Sequence, residues 1–278
     1  MKVILSLGGW TGCETCSPVF ATEANRIEFA KSVKQLNDYF KTDGIDLDWE
    51  YPAIPGPPGH PYMPADRENF TDLVKQLRKE LGPKHEISFA AGGSQEFLEK
   101  SIDWKKVSPM VDKINLMTYD LVHGNSTVSG NHTPLYSTSE QKESTDYAVK
   151  YLASIGVPKN KMVIGAAFYS RIFQNTTDAN NGLYQPTKFY KGISYNEMNK
   201  DSLQKAGFTA YWDDVAKAPY MYSPEKKQLI TGDDARSIEL KTKYAVDQKL
   251  NGIMFWQLAD DKSNGGLLDV IDNTLKGK

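Results

Sequence analysis

The chain has 278 residues, of which about 40% are hydrophobic, and its formal net charge is −2. This length suits one large α/β barrel or two small domains. The sequence has no block of basic residues, which argues against nucleic acid or an anionic membrane as a partner, and no apolar run is long enough to span a bilayer. Because Met1-Lys2 leads directly into a strand-like run, no signal peptide is expected in this sequence.

Strand-like and helical patterns alternate along the chain, which predicts a parallel sheet covered by helices. Apolar runs of strand length fall near residues 2–8, 44–50, 86–91, 113–119, 162–168 and 252–258. The spacing of Phe29, Val33, Leu36 and Phe40 predicts one of the helices between them. A second helix is predicted over 70–81 with Asp66 as its N-cap, and a third is expected to stop at Gly156.

Residues 172–232 interrupt this alternation. The segment is rich in Tyr, Asn, Lys and Gly, and a loop of such length without secondary structure is uncommon in a compact domain. We therefore predict a small α+β insertion over 172–232, with the barrel domain formed by 1–171 and 233–278.

Cys13 and Cys16 are the only cysteines of the sequence. A C-x-x-C spacing is compatible with a redox pair, half of a zinc site or a tight disulfide. Zinc would need two more ligands, and the four histidines lack a suitable spacing; the thioredoxin-like context of a redox pair is also missing. We favour a local disulfide, which would imply an oxidising compartment, with a pair of free thiols as the alternative.

The most informative segment is the octet at residues 43–50, in which apolar and acidic residues alternate. Ile45, Leu47 and Trp49 face one way, and Asp46, Asp48 and Glu50 face the other. In a strand, neighbours on the acidic face lie about 6.6 Å apart, so the charges repel each other, more strongly if buried. Such a row indicates shared protons, a bound cation or catalysis. An exposed acidic strand edge is disfavoured, because the apolar face requires cover.

The spacing Asp43-x-x-Asp46-x-Asp48-x-Glu50 resembles the signature of family 18 glycoside hydrolases, the chitinases. Four further segments resemble motifs of that family, in the family's order: Ser6-Leu7-Gly8-Gly9-Trp10, Met117-Thr118-Tyr119-Asp120, Phe168-Tyr169-Ser170-Arg171 and Gly252-Ile253-Met254-Phe255-Trp256. The resemblance implies an α/β fold, a TIM-type (β/α)8 barrel, with the octet on its fourth strand. Because the family's third-strand motif already begins at residue 6, it also implies a barrel truncated to six β/α units, with the small α+β insertion of one chitinase subgroup.

The resemblance assigns roles to the acidic row. Most glycosidases use two carboxyl groups, but in this family the acetamido oxygen of the substrate attacks its own anomeric carbon. Glu50 would be the acid and then the base, Asp48 would bind the acetamido N–H, and Asp46 would share a proton with Asp48. Neighbouring carboxylates raise the pKa of an acid, as this chemistry requires. The alternative is a purely structural acid cluster.

The resemblance also implies residues that contact the sugar. Tyr119 would donate to the acetamido oxygen, and the remaining contacts would come from Trp10, Asp120, Tyr169, Arg171 and Trp256. Other interpretations remain open at this point. Trp256 could belong to the core, Tyr119 to the core or rim, and Arg171 could anchor the insertion by a salt bridge. Asn125 stands where many chitinases have a Trp, which argues against strong stacking there.

The predicted function is hydrolysis of β-1,4 bonds between N-acetylglucosamine units with retention, with chitin or chito-oligosaccharides as the substrate partner. No metal and no organic cofactor is implied. The resemblance further implies a secreted or periplasmic enzyme that is monomeric when its barrel is complete. The alternatives are an endo-β-N-acetylglucosaminidase and a non-hydrolytic chitin-binding lectin or inactive fragment. Such lectins lose the final Glu of the signature, and Glu50 is present.

Overall fold

The computed structural model describes residues 1–277, where strands and helices alternate as predicted. The strands are β1 Ile4–Gly8, β2 Gly44–Asp48, β3 Glu86–Gly92, β4 Lys113–Met117, β5 Met162–Ala167, β6 Tyr169–Gln174, β7 Lys188–Ser194, β8 Thr209–Asp213, β9 Ala218–Ser223, β10 Gln228–Gly232 and β11 Gly252–Trp256. The helices are α1 Cys16–Phe20, α2 Glu23–Phe40, α3 Asp66–Leu81, α4 Trp104–Val107, α5 Thr145–Ser154, α6 Lys200–Lys205, α7 Ala235–Asp247 and α8 Leu267–Leu275. Short π or 3₁₀ turns cover Phe97–Ser101, Lys159–Lys161, Ala179–Gly182, Tyr195–Glu197 and Leu258–Asp260.

The strands predicted from the sequence form one sheet. Within residues 1–277 it has six strands, in the order β1-β2-β3-β4-β5-β11. The pairings of β1 with β2 and of β2 with β3 are parallel. The predicted α/β organisation and the predicted count of six strands in this sheet are therefore confirmed. The strand predicted over 44–50 ends at Asp48, so that Trp49 and Glu50 follow it.

The chain divides into two compact units. The first contains residues 1–116 and 150–163, and the second contains residues 117–149 together with the chain from Ile164 onward. In the first unit, Trp49 is buried between aromatic rings and lies 5.3 Å from Phe20 and 6.2 Å from Phe70, measured between ring centroids. The apolar face of the octet is thus covered, as the alternation predicted.

Both long helices of the first unit were predicted from apolar residues at helical spacing. In α3 these residues are all buried, namely Phe70, Leu73, Val74, Leu77 and Leu81. The predicted helix at α2 is confirmed, although Leu36 is 39% exposed and Phe40 is 59% exposed. The buried face of α2 also contains Arg26, whose Nε donates to Asp72 of α3 at 2.7 Å.

Asp66 is not the N-cap of α3 but its first residue, since the N-cap position is Ala65. The Asp66 side chain is fully buried. Its carboxylate accepts hydrogen bonds from Ser17 Oγ at 2.9 Å and from the backbone N–H of Met63 at 2.8 Å. Asp66 therefore ties α1 and the loop before α3 to the start of that helix, in place of the predicted capping role. The helix α5 ends at Ser154, and Gly156 lies two residues later at φ 92°, so the helix stops next to the predicted position.

Residues 169–232 of the second unit form an antiparallel sheet. Within the described part of the chain it has five strands, in the order β7-β6-β10-β9-β8. A hydrophobic cluster on it includes Phe173, Tyr222 and Leu229, all nearly fully buried. The strands and α6 lie where the sequence predicted α+β structure, but the separation of 172–232 as an independent domain stays a prediction.

Cys13 and Cys16 form a disulfide, as the sequence analysis favoured. Within residues 1–277 no helix has the length and apolar character needed to cross a membrane.

Replacement of Asp66 by Ala should destabilise the fold. It leaves the buried Ser17 hydroxyl and the Met63 N–H without their acceptor, which should lower the free energy of unfolding by about 2 to 4 kcal/mol. Urea unfolding followed by circular dichroism measures this. The control is Asp38→Ala, which removes an exposed ion pair with Lys34 and should leave the midpoint nearly unchanged. Equal midpoints for both variants would contradict the anchoring role of Asp66.

Candidate active site

The acidic row predicted from the octet lies at the carboxyl end of β2. Asp46 and Asp48 belong to the strand and Glu50 follows it, and each of the three is partly buried. Ile45 and Leu47 are buried on the opposite face. The carboxyl ends of parallel strands are where barrel enzymes place their catalytic residues.

Asp46 is held by polar side chains from three other strands. Its Oδ1 accepts from Ser88 Oγ at 2.5 Å and from Asn115 Nδ2 at 2.8 Å, and its Oδ2 accepts from Ser6 Oγ at 3.3 Å. Burial raises the pKa of Asp46, while these three hydrogen bonds act in the opposite direction. The net result is a raised pKa, so the carboxyl group is well placed to hold or share a proton.

The contacts of Ser6, Ser88 and Asn115 with Asp46 were not predicted from the sequence. Strand register explains why they meet Asp46, because Ser6 and Ser88 are its direct partners in β1 and β3. A signal was present: each of these residues is the one polar residue between two apolar ones, as in Leu5-Ser6-Leu7, Ile87-Ser88-Phe89 and Ile114-Asn115-Leu116. Aligning the strands by these interruptions would have predicted the contacts.

Asp48 and Glu50 are joined by a hydrogen bond between their side chains. Burial, followed by the charge of Asp46, raises the pKa of Asp48 to about 6, although the bond from Glu50 acts to lower it. A hydrogen bond between two carboxyl groups requires a proton on one of them. Asp48 Oδ1 is buried and has no hydrogen-bond partner among residues 1–277, so Asp48 keeps an acceptor for a further donor.

The two glycines before Trp10 allow β1 to approach Asp48 closely. Gly8 has φ +117°, and a Cβ atom there would lie 2.1 Å from the carbonyl oxygen of Asp48. The backbone N–H of Gly9 donates to that same oxygen at 2.7 Å. Only glycine fits this approach without displacing the end of β2. Trp10 follows it with 45% of its surface exposed, and its ring lies 6.4 Å from that of Tyr51.

In the second unit, the side chains predicted to contact sugar meet around Asp120. Arg171 forms a bidentate ion pair with Asp120, through its Nε and through Nη2, which lies 2.6 Å from Oδ2. Tyr169 donates its hydroxyl to Oδ2 at 2.8 Å. Burial acts to raise the pKa of Asp120, but His132 and Arg171 outweigh it and hold the pKa well below its ordinary value. Asp120 is therefore a carboxylate, and Tyr169, whose pKa burial raises, remains a donor.

Tyr119 and Trp256 complete the predicted residues of the second unit. The Tyr119 ring lies 6.1 Å from the Tyr169 ring, and its hydroxyl is 4.0 Å from Met254 Sδ on β11. Trp256 is the last residue of β11 and is 53% exposed, so it is not the plain core residue that the sequence left as an alternative. His132, which is fully buried against Tyr169 with 5.3 Å between ring centroids, was not identified from the sequence.

The predicted site residues thus form one group in each unit. Asp46, Asp48, Glu50 and Trp10 belong to the first, and Tyr119, Asp120, Tyr169, Arg171 and Trp256 belong to the second. Arg171, on β6, reaches the Asp120 carboxylate, so the salt bridge considered from the sequence exists and joins two predicted sugar contacts.

Comparison with known proteins identifies the family. The family model for glycosyl hydrolases family 18 matches residues 1–261. The chain belongs to this family. Chitinase A1 of Niallia circulans is 33% identical over 287 residues, a match that covers 95% of this chain and 41% of that protein. Probable chitinase 2 of Drosophila melanogaster is 32% identical over 279 residues, covering 94% and 56% respectively. The family 18 chain therefore spans less than two thirds of the length of these relatives.

Solved structures of the family are similar over nearly the whole chain. Chitinase ChiA74 from Bacillus thuringiensis gives a TM-score of 0.90 at 33% identity, covering 99% of this chain and 50% of that one. A family 18 N-acetylglucosaminidase from Paenibacillus barengoltzii gives 0.87 at 33% identity, covering 99% and 82%. These similarities confirm the predicted TIM-type α/β fold class.

The raised pKa of Asp48 predicts a pH-dependent cost to stability. A carboxyl group whose pKa is higher in the folded state stabilises the fold fully below its unfolded pKa, and this contribution is lost as the pH rises through about 6. The free energy of unfolding of the parent, minus that of Asp48→Asn, should fall by about 2 to 3 kcal/mol between pH 4 and pH 7. Urea titrations of both proteins at the two pH values test this, and a difference that does not change with pH would contradict it.

Proposed function

We propose that this chain carries chitinase activity and hydrolyses β-1,4 bonds between N-acetylglucosamine units with retention. The observation that carries the proposal is the row Asp46-Asp48-Glu50, in which Asp48 is bonded to Glu50 and retains a buried acceptor. The family match and the similarity to chitinases support the same substrate class. Chitin or its oligosaccharides are the proposed partner.

In the proposed mechanism, the Glu50 carboxyl group gives its proton to the glycosidic oxygen while the bond from that oxygen to the anomeric carbon breaks. The acetamido carbonyl oxygen of the same sugar bonds to this carbon and forms an oxazolinium ion, the substrate assistance of this family. The Glu50 carboxylate then takes a proton from water, which attacks the anomeric carbon and restores the acetamido group. Two inversions at one carbon give net retention.

Asp48 has an electrostatic role in this mechanism. Its free Oδ1 accepts the acetamido N–H, which orients the attacking oxygen, and its negative charge stabilises the oxazolinium ion. Asp46, with a raised pKa and three donors around it, takes the proton that Asp48 gives up. The three groups act as one coupled set, with protonation shared along the row.

The second unit supplies the proposed sugar contacts. Tyr119 donates its hydroxyl to the acetamido oxygen, and Asp120 accepts from a sugar hydroxyl while Tyr169 and Arg171 hold it. Trp256 presents an exposed indole face that suits the apolar C–H surface of a pyranose ring. Trp10, in the first unit, is proposed to contact the leaving-group side.

A second candidate is release of single N-acetylglucosamine units from chain ends. It is favoured by the similarity to the N-acetylglucosaminidase from Paenibacillus barengoltzii. Both candidates use the same acid and the same acetamido chemistry. Chromatography of early products from chitohexaose distinguishes them, because terminal cleavage yields monomer from the start.

The proposed location is secreted or periplasmic. The Cys13–Cys16 disulfide supports it, because such bonds persist in oxidising compartments.

Replacing Glu50 by Gln should remove hydrolysis and leave oligosaccharide binding. The amide keeps the shape of the side chain but cannot deliver a proton, and loss of a general acid costs about 100-fold or more in rate. Release of product from a chromogenic chitobioside measures the rate, and calorimetry with chitotetraose measures binding. Glu28→Gln, an exposed acid on α2, is the control and should retain full activity. If Glu50→Gln kept more than about a tenth of the parent rate, Glu50 would not be the acid.

Substrates without the 2-acetamido group should be neither cleaved nor well bound. The group is both the nucleophile and the partner of Asp48 and Tyr119, and a site built to hydrogen-bond a polar group discriminates by about 10⁴-fold or more against analogues that lack it. Parallel assays of cellotetraose and tetra-N-acetylchitotetraose test this. Comparable cleavage of the two would exclude substrate assistance.

A further inference from the structure

A fully buried ion pair lies in the second unit outside the residues assigned so far. Lys241 of α7 and the Asp233 side chain are both 0% exposed, and Lys241 Nζ lies 2.8 Å from Oδ1 and 2.7 Å from Oδ2 of Asp233. Nζ also donates to Thr133 Oγ1. The three N–H groups of the ammonium thus all have acceptors, which a buried charge requires.

Thr133 connects this ion pair to the end of β4. Its hydroxyl donates to the carbonyl oxygen of Thr118 at 3.1 Å, one residue before Tyr119. The preceding residue, His132, contacts the same turn twice more. Its carbonyl oxygen accepts from the N–H of Leu121 at 3.0 Å, and its Nδ1 lies 3.3 Å from the Asp120 nitrogen.

These three contacts surround a residue in an unusual conformation. Asp120 has φ 55°, in the left-handed region that residues with a side chain rarely adopt. The same Nδ1 atom of His132 that accepts the Asp120 N–H also lies 3.5 Å from Asp120 Oδ1. His132 therefore contacts both the backbone and the side chain of Asp120.

The same ion pair also reaches the end of β5. Asp233 Oδ2 accepts from the backbone N–H of Ala167 at 2.9 Å, two residues before Tyr169. The Asp233 carboxylate thus connects two strand ends. It reaches the end of β4, which leads to Tyr119 and Asp120, through Thr133, and it binds directly to the end of β5, which leads to Tyr169.

We propose that Lys241 and Asp233, acting through Thr133 and His132, are positioning residues that set Tyr119 and Asp120 against Tyr169 and Arg171 for sugar binding. This inference rests on the proposed function. The competing interpretation is an ion pair that contributes only to folding. Removing Lys241 or Asp233 alone would not separate the two, because it leaves an uncompensated buried charge and can unfold the protein.

Thr133→Val is the informative variant. It keeps both charges of the ion pair and the side-chain shape, but it removes the bond to Thr118 and the acceptor of one Lys241 N–H group. Thr242→Val is the matched control: Thr242 is equally buried, lies beside Lys241 in α7, and its hydroxyl bonds only within that helix, to the Ile238 oxygen at 2.8 Å. Both proteins are compared by steady-state hydrolysis of chito-oligosaccharides and by residue-resolved amide hydrogen exchange.

We expect Thr133→Val to lower kcat/KM by about 10- to 100-fold, mainly through a higher KM, because displaced contact groups bind sugar less well. Thr133→Val should lower the urea midpoint more than Thr242→Val, because it leaves one buried Lys241 N–H group without an acceptor. Exchange of the Asp120 and Leu121 amides should quicken in Thr133→Val beyond the general increase that this loss of stability causes at other amides. Unchanged exchange, or faster exchange with parental kinetics, would overturn the positioning role. If the parent and Thr242→Val show no hydrolysis, the proposed function fails, and the exchange comparison alone decides whether Thr133 holds the turn.

Discussion

Three carboxyl groups lie in a row at the end of β2, Asp46 and Asp48 on the strand and Glu50 just after it. Their mutual repulsion is the constraint on which the arrangement of the surrounding residues depends. Each is partly buried, so water screens their charges less than at a surface. The structure accommodates them with a carboxyl–carboxyl hydrogen bond between Asp48 and Glu50 and with three neutral donors on Asp46. No cation from another side chain bonds to Asp46 or Asp48 among the contacts of the described residues. Asp46 and Asp48 therefore keep raised pKa values.

Neutral donors on Asp46 have a different effect from a basic partner. A lysine or arginine would hold the carboxylate ionised, as Arg171 does with Asp120, whose pKa lies well below its ordinary value. Hydroxyl and amide donors stabilise the charge less, so Asp46 stays able to exchange a proton. The electrostatic environments of Asp46 and Asp120 are therefore opposite. Asp46 is suited to exchanging a proton, and Asp120 is suited to accepting hydrogen bonds.

How much the sequence predicts depends on whether a feature is local. The alternation in the octet and the apolar spacing of α3 are local, and both were predicted correctly. The partners of Asp46 depend on strand register, which the pattern within one strand does not contain. The spacing predicted the helix α2 but not that Arg26 is buried in it, because the partner of Arg26, Asp72, lies 46 residues away in the sequence. The burial of Lys241 was not predicted from the sequence, because a lysine on a helix is ordinarily exposed.

The cost of keeping the acidic row has a consequence for how sequences of this kind change under selection. Replacing one of these acids by a neutral residue of the same shape relieves repulsion that the fold must otherwise oppose. A laboratory search for heat-resistant variants would therefore recover such replacements among its first gains, and under the proposed mechanism each would come with a loss of hydrolysis. The proposed activity and thermal tolerance are thus opposed at this strand end, and an engineer seeking both should look for stability elsewhere in the chain.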